Sequence, residues 1–265
     1  TIRKLLDHAP QPQQRPVLLL AAIHYLVLQD QNTALSQKYP SVTGTPHMTS
    51  IDRNELAADL HEFCDTYRNE LIDLIRTRHT QTNDISRSAL LRLVLAHQPV
   101  IENSILIDIG CSAGLNLHLD VYHCTYTAEN GSWTSSAGDV VAPALRCSVR
   151  AEAPPHIEIG TFAGRIGFDP HPIDVDTHDA MWLLACVWPD QLDRIKRLKE
   201  AIAWAKAHPV DLRTADALAA LTEIEAMHDD HLTIVNSWVL SYLSLDEQHS
   251  YRQRLEAIGR RRNLT

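Results

Sequence analysis

Over about the first hundred residues apolar side chains recur at helical spacing, and beyond them they gather into short runs that end in acids or amides. Val17 to Leu28 is almost continuously apolar, which predicts a buried helix. Leu56, Leu60, Phe63, Tyr67, Leu71, Leu74 and Ile75 step by three and four, predicting one long amphipathic helix from about Asp52 to Arg78. Ser50 or Asp52 signals its start, with Glu55 three beyond Asp52 as in a capping box. The polar stretch Thr80–Arg87 opens another helix that runs through Leu95, with Thr82 or Asn83 as its cap and Pro99 as its end. Gly44 is the only glycine in these hundred residues, which suits an all-helical region.

The pattern then changes. Ile105–Ile109, Arg165–Asp169, Pro209–Arg213 and Leu232–Asn236 read as four short strands. Between them lie helical stretches. One is capped by Asp176 or Thr177 and runs through Val187; the next has Pro189 in its first turn and carries Leu192, Ile195, Leu198 and Ile202. Two more carry Leu218, Leu221 and Ile224, and then, from near Asp246, Tyr251, Leu255 and Ile258. Tyr126 to Arg165 is rich in turn residues, with strand-like patches at Ala144–Val149 and His156–Ile159, so an inserted hairpin or loop is expected near 126–164. Strand–helix alternation implies parallel strands with helical crossovers. The expected fold is therefore α/β. Residues 99–265 form a Rossmann-like, mostly parallel sheet with helices on both faces, preceded by an all-helical region over residues 1–98 on the lid or substrate side. The chain stops soon after the fourth strand, so the sheet is expected to be truncated at its C-terminal side; a second copy pairing along the open edge, as a homo-oligomer, is one way to cover it.

Composition narrows the class of function. The chain has 265 residues, 45% of them hydrophobic, and a net charge of −9, which argues against an extended nucleic-acid surface. Arg260, Arg261 and Arg262 form the one basic cluster, at the end of the last helix where cations suit the dipole. The five cysteines, Cys64, Cys111, Cys124, Cys147 and Cys186, are odd in number and scattered, which favours a reducing cytoplasm over a disulfide framework. No apolar run is long enough to span a membrane, and no signal peptide is evident. His118, His123 and Cys124 lack the paired spacing of a metal site, so no metal is expected.

The candidate chemistry lies in Asp108-Ile-Gly-Cys-Ser-Ala-Gly114, where the first strand runs into a glycine turn. Gly110 permits a positive φ and close approach of a ligand to the backbone. The dinucleotide fingerprint needs a second close glycine, and Cys111 stands there, so a pyrophosphate would be crowded. S-adenosylmethionine has no phosphate, and the turn around Gly110, Ser112, Gly114 and Asn116 suits its methionine portion, with Asp108 holding the ammonium. A plain strand-to-helix turn explains the same motif without a ligand. Asp169, Asp216 and Asn236 fall at or just past the other strand ends, where α/β sheets bind ligands.

Four stretches carry a family likeness: Thr80–Asn83, Ser112–Leu117, Ala185–Gln191 (Ala-Cys-Val-Trp-Pro-Asp-Gln) and Asn236–Leu243. The chain resembles the Rossmann-like class I S-adenosylmethionine-dependent methyltransferases and, more narrowly, an uncharacterised bacterial family defined by a domain of unknown function. The resemblance implies transfer of a methyl group from S-adenosylmethionine to a small-molecule acceptor, or binding of that cofactor without transfer. It implies that Asp169 accepts from the ribose hydroxyls, in bonds worth about 1.5–3 kcal/mol, and that Asp216 with Ala217 meets the adenine. Asn236 and Ser237 would face the methyl group and acceptor, Tyr242 and His171 are the candidate bases, and Gln81, Asn83 and Arg87 would close the methionine end or bind substrate. Each has a plainer explanation: Asp169 as a turn residue before Pro170, Asp216 and Asn83 as helix caps. A Gly110→Val substitution is expected to abolish cofactor binding in a chain that still folds.

Overall fold

A computed structural model describes residues 2–10, 16–45, 52–81, 83–99, 102–228 and 231–265. In chain order the helices are α1 (Pro16–Gln29), α2 (Pro40–Thr43), α3 (Arg53–Thr66), α4 (Arg68–Thr77), α5 (Arg87–Leu95), α6 (Asp179–Ala185), α7 (Leu192–Ala207), α8 (Ala217–Ala226) and α9 (Leu245–Gly259). The strands are β1 (Ser104–Ile109), β2 (His123–Ala128), β3 (Thr134–Ala137), β4 (Ala144–Val149), β5 (Phe162–Asp169), β6 (Asp211–Thr214), β7 (His231–Asn236) and β8 (Asn263–Leu264). The chain divides into two compact units, Thr1–Thr82 with Asp176–Lys199, and Asn83–Val175 with Glu200–Thr265.

The first unit is helical. Its centre is α1, which is apolar on nearly every face and buries Leu18, Ile23 and Val27 against Leu71, Ile75 and Trp182. Pro16 occupies the first turn, where its missing N–H costs nothing. His24 is buried inside this core; its Nδ1–H donates to the Ala185 carbonyl at 3.1 Å and its Nε2 accepts from Ser41 Oγ at 2.8 Å. Burial pulls its pKa down to about 4, so the ring is neutral. Asp52 caps α3 by accepting from the Asn54 N–H at 2.8 Å, whereas Glu55 reaches Lys38 Nζ. The single long helix expected from Asp52 to Arg78 is two, α3 and α4, broken at Tyr67 (φ −100°, ψ 27°). The Tyr67 hydroxyl donates to Asp30 at 2.6 Å, and the apolar spacing runs on through the break.

The second unit holds the parallel sheet, in the order β6-β5-β1-β7-β8. From β1 the chain builds outward through β5 to β6, then returns to β7 on the other side of β1. The order therefore reverses between β1 and β7, as in a Rossmann-like fold. Alternate residues of β1 serve opposite faces. Ile107 and Ile109 join Phe168, Leu221, Ile224 and Tyr251 beside α8 and α9, while Leu106 joins Val235, Leu117 and, from α5, Leu91 and Leu95. The sheet is thus covered on both sides, and α5 belongs with it rather than with the preceding helices.

The inserted segment is a second, three-stranded sheet ordered β3-β2-β4, with β2 antiparallel to β3 and parallel to β4. It begins earlier than expected, at His123. Ala144–Val149 is a strand, as its alternation predicts. His156–Ile159 is not: it follows Pro154 and Pro155, and the Ile157 carbonyl accepts from Arg92 Nε at 3.0 Å rather than from a neighbouring strand. Helix α5 starts at Arg87, later than an Asn83 cap would place it, because Asp84 Oδ1 takes the Ser86 N–H and Oγ–H in a local turn first. The alternative caps Ser50 and Thr82 lie outside the described residues. After the glycine turn the expected helix is a 3-10 turn, Leu115–His118, closed where the Tyr122 hydroxyl donates to the Leu115 carbonyl at 2.7 Å.

Candidate functional site

The strand ends of the second unit place Ile109 of β1 opposite Phe168 of β5 and Asn236 of β7, with Asp169 opposite Thr214 of β6. The turn after β1 is built on backbone bonds. The N–H groups of Gly110 and Cys111 both donate to the Phe168 carbonyl, at 2.7 and 3.1 Å. Gly110, Ser112 and Gly114 all take positive φ, of 81°, 53° and 67°. For Ser112 this is an uncommon conformation for a residue with a Cβ. It is held by Asp169, whose Oδ2 accepts from the Ser112 N–H at 2.9 Å while its Oδ1 accepts from the His171 N–H at 2.8 Å. Asp169 thus clamps the turn to the end of β5, and each of its oxygens keeps lone-pair capacity for one more donor.

Asp108 lies one residue before the end of β1 and is only 3% exposed. Among the described residues nothing donates a hydrogen bond to its carboxyl group or forms an ion pair with it. Burial first, and then the nearby charge of Asp169, push its pKa up to about 7; Arg87 opposes the shift. Arg87, the first residue of α5, donates from Nη1 to Ser237 Oγ at 2.8 Å and so reaches the end of β7. Ser112 Oγ and Asn83 Nδ2 are among the buried polar atoms of this unit that have no partner among the described residues.

The remaining expected residues divide. Asn116 is buried and its Oδ1 accepts from Ser88 Oγ of α5 at 2.8 Å. Gly114 leaves room for Leu212 of β6, whose Cδ2 would stand 2.8 Å from an added Cβ. Asp216 is the cap of α8: one oxygen accepts from the N–H groups of Leu218 and Ala219 at 3.0 and 2.8 Å, and Ala217 is the first helical residue. Asn236 donates from Nδ2 to the Tyr251 hydroxyl at 2.8 Å. Tyr242 is 74% exposed and His171 is exposed, so neither base candidate is buried at the strand ends. Gln81 belongs to the first unit, where its N–H faces Cys186 Sγ.

Two features of the turn escape sequence inspection. Val239 lies against Gly110, and Trp238, 67% exposed, holds a φ of 72°. A bulky residue in the left-handed region is strained, and the Ser241 N–H and Oγ brace it by donating to the Trp238 carbonyl at 2.9 and 2.6 Å. Neither feature leaves a signal in the spacing of residues. Among the described residues no cluster of His, Cys, Asp and Glu could hold a metal, and no helix is long and apolar enough to cross a membrane.

No curated protein and no solved structure matches the chain. A family model does, over residues 2–265, and its description is "Uncharacterized protein conserved in bacteria (DUF2332)". With the match running over almost the whole length, the chain belongs to that bacterial family.

Proposed function

We propose that this protein binds S-adenosylmethionine at the carboxyl ends of β1, β5 and β7 and transfers its methyl group to a small-molecule acceptor. One observation carries the reading: Asp108, a carboxyl group 3% exposed and without a hydrogen-bond donor among the described residues, beside the point where the strand order reverses. A buried acid without a partner is costly. A ligand ammonium would remove that cost and draw the carboxyl group into its charged form. When bound, S-adenosylmethionine supplies an activated methyl group at its sulfonium.

The residues present fit that group. Asp108 would hold the ammonium. Ser112 Oγ, buried and without a partner among the described residues, is available to the methionine portion. Asp169 would take the ribose hydroxyls on the lone pairs that its backbone donors leave. Asp216 and Ala217, at the start of α8, would meet the adenine, and Asn236 and Ser237 the acceptor. The enzyme's main contribution would be to hold the acceptor in line, since proximity and orientation can supply about 7–11 kcal/mol.

A second reading is cofactor binding without transfer, since the two candidate bases, Tyr242 and His171, are exposed. The two separate by incubating the full chain with methyl-labelled S-adenosylmethionine and a broad panel of acceptors. Formation of S-adenosylhomocysteine and a labelled product supports transfer. Saturable binding with no product across the panel supports the second reading.

A further inference from the structure

The surroundings of Asp108 favour a carboxyl group that keeps its proton. Its register partners are Gly167 of β5 and Val235 of β7, neither of which offers a polar side chain. Two residues beyond Gly167, at the end of β5, stands Asp169, whose oxygens already hold the N–H groups of Ser112 and His171. The Cys111 thiol of the turn and the Tyr251 hydroxyl of α9 also face Asp108; burial raises the pKa of each, so both are neutral. The amide of Asn236, at the end of β7, is bonded to Tyr251. Among the described residues the charges that act on Asp108 are Asp169 and, opposing it, Arg87 of α5, and burial outweighs both. All of these groups belong to the second unit.

An ionised Asp108 would be a buried charge beside a second negative charge, with no donor to stabilise it. A neutral acid, in turn, does not attract an ammonium as a carboxylate does. The two states are exchanged when a cation arrives. We propose that cofactor loading is a proton exchange: the ligand-free site holds Asp108 as the neutral acid, and the ammonium of S-adenosylmethionine displaces its proton to water. The Asp108 O–H bond breaks, the proton passes to solvent, and the carboxylate left behind pairs with the ammonium. One positive charge enters as one leaves, so the summed charge at this contact is unchanged. The inference rests on the S-adenosylmethionine reading and adds a regulatory consequence. Occupancy falls as the medium acidifies, although the cofactor's own ammonium stays protonated over that range.

The test is calorimetric titration of the full chain with S-adenosylmethionine at about pH 5.5 and about pH 7, each in two buffers of different ionisation heat, which counts the protons released. The result expected is release of about one proton per site at the lower pH and about half a proton at the higher, with affinity about 10- to 20-fold weaker at the lower. In Asp108→Asn, which has no proton to give up, the two affinities should agree within about twofold. Carbon-13 NMR of the carboxyl groups in the ligand-free chain, with Asp108→Asn identifying the signal, needs no ligand and should show Asp108 still protonated at the lower pH. Binding without proton release, equal affinity at both pH values, or the same pH dependence in Asp108→Asn overturns the inference and leaves the cofactor reading standing. An Asp108 carboxyl already ionised at the lower pH overturns it as well. No binding at either pH overturns the cofactor reading and the exchange together.

Discussion

Val239 fills the space beside Gly110, where an added Cβ would stand 2.2 Å from its Cγ2. Gly110 also has a φ of 81°, which residues with a Cβ adopt at a cost. Gly110→Ala should therefore lose about 1–3 kcal/mol of stability, and Gly110→Val more. This replaces the expectation that Gly110→Val would remove binding from an intact fold. Adding Val239→Ala should restore the steric part and leave the conformational part. Thermal unfolding of the two single variants and the double variant checks this; a Gly110→Ala protein as stable as the parent would refute the contact.

Asp108 makes stability fall as pH rises. Its folded pKa, about 7, lies above the 3.8 of a free carboxyl group, so between those values the folded chain binds a proton that the unfolded chain has lost. Stability from this group is complete below about pH 4 and is lost as pH rises through about 7, by up to about 4 kcal/mol. Asp108→Asn should be more stable than the parent at pH 8, with the gain shrinking toward pH 4. Denaturant titrations at the two pH values measure it. A variant less stable at pH 8 would show that the charged carboxylate is already stabilised.

His24 works in the opposite direction. Its pKa is lowered from 6.5 to about 4, so the unfolded chain takes up a proton first as pH falls. The stability it contributes is present above about pH 6.5 and is lost as pH falls toward 4. His24→Gln should flatten the acid limb of the stability profile. An unchanged limb would mean that the buried ring already accommodates the charge.

Asp216 separates a cap from a ligand contact. Its oxygen holds two N–H groups of α8, so Asp216→Ala should cost about 0.5–2 kcal/mol, while Asp216→Asn keeps the cap. On the proposed function, Asp216→Asn should also weaken binding of adenosine compounds at unchanged stability. Equal stability of the alanine and asparagine variants would contradict the capping role.

The sheet was legible because β1 and β7 carry short apolar runs and β5 and β7 close on a polar residue. Asp169 and Asn236 end β5 and β7 where the pattern puts them. What pairs side by side was less so. β2 alternates buried Cys124, Tyr126 and Ala128 with half-buried residues of small contrast, and β8 is two residues long, too short for any period to register. The break at Tyr67 is invisible for the converse reason, since the apolar spacing continues across it. At the site, Asp108 could be named from its place before the turn, but its lack of a donor could not. Nor could the reach of Arg87 to Ser237, 150 residues on, or the fit of Val239 over Gly110. Such long-range contacts depend on how the strands are ordered, which local pattern does not encode.

The central claim is that Asp108 receives the ligand. It is tested most directly by titrating S-adenosylmethionine into the parent chain and into Asp108→Asn at pH 8, where that variant is expected to be the more stable of the two. The account predicts saturable binding to the parent and a loss of about 10- to 100-fold in the variant. No binding to the parent, or equal affinity for both, would contradict it.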